Sequence, residues 1–115
     1  MKQITATFKP QLINVHENIS ADLIDVTPEV IAWAQAALPA ARKEAADARH
    51  MADSAFLTRG AGQTALWHNA EILKWRVREL EMLAEGRNQC GLHGFIGPNE
   101  WERLTAFVGG LLAAA

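Results

Sequence analysis

The chain has 115 residues, half of them apolar and 21% charged, and its net charge is −2. That composition describes one ordinary globular domain whose core removes roughly two-thirds of the unfolded surface from water, and it excludes a disordered chain. The slight acidity argues against a dedicated nucleic-acid binder, and the single cysteine, Cys90, excludes an intramolecular disulfide framework.

In chain order, residues 3–8 alternate, with Ile4, Ala6 and Phe8 on one side and Thr5 and Thr7 on the other. This pattern predicts a strand, broken at Lys9-Pro10, and Leu12, Ile13 and Val15 offer a second short one. The whole forms a short N-terminal β element over 1–16. A two-stranded unit is marginal alone and needs helices or another chain to pack on. Residues 22–26 fit either a helical turn or a strand. Thr27, Pro28 and Glu29 then mark a helix start as cap, first helical residue and favourable charge. The helical pattern runs over 28–57, kinked or broken near Pro39.

Within it Ala34, Leu38, Ala41, Ala45, Ala48, Ala52 and Ala55 recur at spacings of four and three. This is a heptad-like seam of small side chains, suited to close approach of a second helix. Residues 59–62, Arg-Gly-Ala-Gly, form a turn. A second helix follows over 63–85, with Gly86 placed to cap its end. Its seam of Leu66, Ala70, Leu73, Val77, Leu80 and Ala84 complements the alanine seam, so the two helices form an antiparallel hairpin. A glycine-rich loop over 86–97 leads to a final helix over 98–112, with Trp101, Leu104, Phe107 or Val108, and Leu111 on its apolar face. The expected fold is a single mainly α domain: a long antiparallel helical hairpin, a C-terminal helix and a short N-terminal β element.

The second helix is more apolar than one stripe requires. On a wheel of about 100° per residue its charged groups gather on one side, while Ile72, Trp75, Met82 and Leu83 lie away from the seam. That face must be covered by the N-terminal strands, the last helix or another chain. Trp and Met are enriched at interfaces, so these four residues are candidates for partner binding. A second candidate is the acidic stretch of Asp22, Asp25 and Glu29, where no Lys or Arg occurs between Pro10 and Ala41.

Catalytic and metal signals are sparse. Cys90 and His93, three apart in the glycine loop, could pair as thiolate and imidazole. A zinc site would need two further ligands, and no second cysteine exists. The loop lacks the Gly-Lys-Ser/Thr ending of a phosphate cradle and misses the dinucleotide fingerprint. His68 and Glu71 share a helix face without the repeated inward carboxylates of a metal bundle. Lys74, Arg76 and Arg78 surround Trp75 and suggest a nucleic-acid face, but Glu71, Glu79, Glu81 and Glu85 nearly neutralise them.

The sequence therefore points to a non-enzymatic protein–protein interaction module without cofactor or metal. It would be homo-oligomeric and act as an adaptor or as a small inhibitor of a larger protein. The alternatives are a small enzyme or ligand-binding protein using the 86–97 loop, and a nucleic-acid accessory factor using the 74–78 face. Lys2 is followed by no apolar leader-like segment, and no apolar run reaches the ~18–20 residues of a membrane span. A cytoplasmic, membrane-free protein is expected.

Overall fold

A computed structural model describes residues 4–58, 63–88 and 94–114. The elements run β1 (Phe8–Asn14), β2 (Ile19–Ile24), α1 (Pro28–Thr58), α2 (Gln63–Ala84) and α3 (Pro98–Ala114). The fold is mainly α: two long helices packed as an antiparallel hairpin, a third helix at the C-terminal end, and a two-stranded antiparallel ribbon at the N-terminal end.

The ribbon lies later in the chain than the alternation of Ile4, Ala6 and Phe8 suggests, and it runs through Pro10. Register explains why. Asp25 N–H donates to the Thr7 carbonyl at 2.8 Å, so hydrogen-bonded pairs fall on residues 7, 9 and 11, and Pro10, opposite Asp22, has its nitrogen on the outer edge. Its missing N–H removes no rung there. Ile24 has the same parity and turns both backbone groups outward. Its N–H reaches the Ile96 carbonyl at 2.8 Å, and its carbonyl accepts from Asn88 Nδ2 at 2.9 Å. The ambiguous 22–26 stretch thus supplies the end of β2, and the strand pattern that needed a partner finds it within the chain.

α1 continues through Pro39 without a break. The proline sits on the exposed side, where the carbonyl it leaves unbonded can meet water. Thr27 caps the helix, its Oγ1 accepting from Val30 N–H at 3.3 Å. α2 ends in a Schellman turn. Arg87 N–H returns to the Met82 carbonyl and Gly86 N–H to that of Leu83, both at 3.0 Å, with Gly86 at φ +81°. Gly97 precedes α3, where a Cβ would lie 3.2 Å from the Asp22 carbonyl oxygen, so glycine lets this segment pass close to β2.

The two seams meet as expected. Ala34, Ala41 and Ala52 of α1 and Leu80 of α2 are fully enclosed. Arg42 pairs with Glu81 at 3.4 Å across the hairpin, and Arg49 stacks on the Trp67 ring at 4.4 Å. The core has two parts. The larger joins α1 and α2 to β2, Ile96 and α3, with the Trp33 and Trp101 rings in tilted contact, their centroids 4.9 Å apart. The smaller, beyond it along the hairpin, is an alanine layer of Ala48, Ala52 and Ala70 with Leu73. The result is elongated. Its radius of gyration is 15.9 Å, against about 13 Å for a compact domain of this length.

Candidate functional site

The four apolar residues that the helical wheel groups on α2 do not form one surface. Met82 and Leu83 are 2% and 0% exposed and belong to the main core. They offer no open surface to a partner, because the β2 end, Ile96 and α3 belong to the same buried cluster. Trp75 is half-buried beside Met82 and Phe95 in a small cleft of about 170 Å³. Ile72 stays on the surface at 41% exposure.

The acidic stretch is also altered by folding. Asp22 and Glu29 are exposed, but Lys9 crosses the ribbon to pair with Asp25 at 3.2 Å. A cation one residue outside the window that looked purely acidic therefore offsets part of its charge. Cys90 and His93 lie outside the described residues. Among the described residues no group of three or more His, Cys, Asp or Glu could hold a metal ion, and no helix is long and apolar enough to cross a membrane.

The basic run on α2 is divided as well. Arg76 leaves Lys74 and Arg78 and turns toward α3, where it donates to Glu79 at 2.6 Å, both side chains being largely covered. Glu79 and Glu100 flank the same cleft, which superficially resembles an acid–base pair. Both carboxylates are committed to the fold: Glu79 to Arg76, and Glu100 to the Gly97 N–H at 3.2 Å.

Burial pushes the Glu79 carboxyl above its ordinary value, against the opposing pull of Arg76. The folded protein thus holds this proton to higher pH than the unfolded chain does, and stability falls as pH rises through that window. Urea midpoints of the native protein and of Glu79→Gln should show the difference, native minus variant, falling as pH is raised from about 4. A flat or rising difference would contradict the assignment.

Among the described residues six large apolar side chains are exposed; Met51, Ile72 and Leu112 lie singly on the three helices, and the other three fall together in sequence at the tip of the β-ribbon. Leu12, Val15 and Ile19 are 48%, 76% and 42% exposed. The tip is held in shape. Asn14 Oδ1 accepts the Glu17 N–H at 3.0 Å, Asn18 takes φ +54°, and a bulge between Leu12 and Asn14 adds twist. Along β2, side chains pass from exposed at Ile19 and Ser20 to buried at Leu23 and Ile24, so the tip stands clear of the core that anchors the strand. An exposed apolar patch of a few hundred Å² commonly marks an interaction site. The sequence pattern puts Leu12 and Val15 near a strand, but their exposure depends on where the ribbon docks. The available signal was the run of Val15, His16, Glu17, Asn18 and Ile19, a polar turn bracketed by β-branched residues.

No protein-family model matches the chain, no curated protein is found similar to it in sequence, and no solved structure matches it.

Proposed function

We propose that the protein is a non-enzymatic interaction module that self-associates through the tip of its β-ribbon and serves as an adaptor or as a small inhibitor of a larger protein. The observation that carries this reading is the exposure of Leu12, Val15 and Ile19 around a turn with a fixed backbone, while Met82 and Leu83 of α2 are covered from within. A patch that meets its own copy about a two-fold axis doubles the area removed from water. Three side chains per copy make a small interface by the standard of stable complexes, so a concentration-dependent dimer is expected. Extension of the ribbon edge is disfavoured on the β1 side, where Pro10 removes an outward N–H and the bulge interrupts the register.

Light scattering over a range of concentrations tests the proposal. The native chain should rise from monomer toward dimer mass. The triple variant Leu12→Ser, Val15→Ser, Ile19→Ser should stay monomeric with unchanged helical circular dichroism. A native chain that remains monomeric, or a variant that associates equally well, would contradict it.

A further inference from the structure

We propose that the groove between α1 and α2, separate from the self-association surface, docks an acidic amphipathic helix of a partner protein. The groove measures about 310 Å³. Arg42 and Arg49 line it from one face of α1, and Lys74 and Arg78 line it from α2. Its floor is made by Ala45, Ala70 and Val77, with the exposed Ala46 on the α1 wall. Alanine side chains leave room for a guest's leucine-sized anchors, and the cations above them suit carboxylates on the guest's polar face. The Arg42–Arg49 span is about 10 Å, close to two helical turns of a guest.

Charge selects the occupant. Four cations and two carboxylates, Glu71 and Glu81, border the groove, so its local balance is positive on a chain whose net charge is −2. Three of the cations hold exposed pairs: Arg42 with Glu81 at 3.4 Å, Arg49 with Asp53 at 3.4 Å, and Lys74 with Glu71 at 4.0 Å. Pairs this exposed are weak and exchange readily for a guest carboxylate. Arg78 has no ion pair among the described residues and is the groove's uncommitted cation. A nucleic acid fits less well. Its continuous phosphates would meet Glu71 and Glu81, and the nearby Trp67 is already covered by Arg49 rather than open for base stacking.

The groove is distinct from the ribbon tip and gives an adaptor its second contact. The test uses the intact chain and a fluorescein-labelled, acetylated peptide of about 16 residues, long enough to approach helix formation. The peptide carries Leu at helical i, i+4, i+7 spacing and Glu elsewhere. Its Lys-for-Glu counterpart and a single-stranded oligothymidylate serve as the other probes. Anisotropy should show saturable binding of the acidic peptide that weakens with added salt. Lys74→Glu/Arg78→Glu should weaken it about tenfold or more, and Ala46→Glu should also weaken it. Circular dichroism should show both variants folded, since all three positions are exposed. The ribbon-tip triple variant should bind the peptide as the native chain does, which separates this proposal from self-association. No saturable binding, equal binding of the Lys peptide, tighter binding of the oligothymidylate, or unchanged affinity in the charge-reversed variant would overturn it.

Discussion

Leu83→Ala is expected to lower the unfolding free energy by about 2–5 kcal/mol, whereas Ile72→Ala should change it by no more than about 0.5 kcal/mol. Both residues belong to the apolar face of α2 that a helical wheel marks as in excess. Leu83 is fully enclosed where the end of β2, Ile96 and α3 close over α2. Its truncation removes apolar contact and leaves a cavity whose walls belong to several elements, so collapse into it is limited. Ile72 is largely in water and leaves no cavity. Urea denaturation of both variants measures the contrast. Equal costs, or a larger cost at Ile72, would mean that this face of α2 is covered by something other than the chain's own ends.

Ala41→Leu is expected to destabilise the fold by about 1–3 kcal/mol, although leucine is a good helix former and a larger apolar group. Ala41 is fully enclosed between the two long helices, where the seam is packed methyl against larger side chains. Three added carbon atoms must displace α2 or force side chains out of their preferred rotamers. Ala40→Leu is the matched control, on the exposed side of the same turn, and should fall within about 0.5 kcal/mol of the native protein. Thermal unfolding of the pair reads the difference. If Ala41→Leu is neutral or stabilising, the helices do not approach closely at that point.

The helices were legible because their evidence is periodic and local: Thr27 before Pro28, the four-three recurrence from Ala34 to Ala55, and Gly86 just past α2. Pro39 was harder to place, because its effect depends on whether the carbonyl it releases faces water. The ribbon was displaced by several residues. Alternation at Ile4, Ala6 and Phe8 is a local signal, whereas pairing is fixed at a distance, by Ile24 meeting Ile96 and by Asn88 bridging the Ile24 carbonyl and Gln11.

The candidate site was the least legible feature. A wheel shows that Met82 and Leu83 are apolar and away from the seam, but not what covers them. Lys9 became relevant to the acidic stretch only once the ribbon brought it onto Asp25. Exposure at Leu12, Val15 and Ile19 follows from the direction in which the ribbon projects, which no spacing in the sequence encodes.

The most direct test of the interaction-module account is dilution of the isotope-labelled protein followed by amide NMR. Signals of residues 12–19 should shift progressively with concentration, while those near Ile72 and Trp75 stay fixed. Shifts confined to α2 around Ile72 and Trp75, with the ribbon tip unmoved, would contradict it.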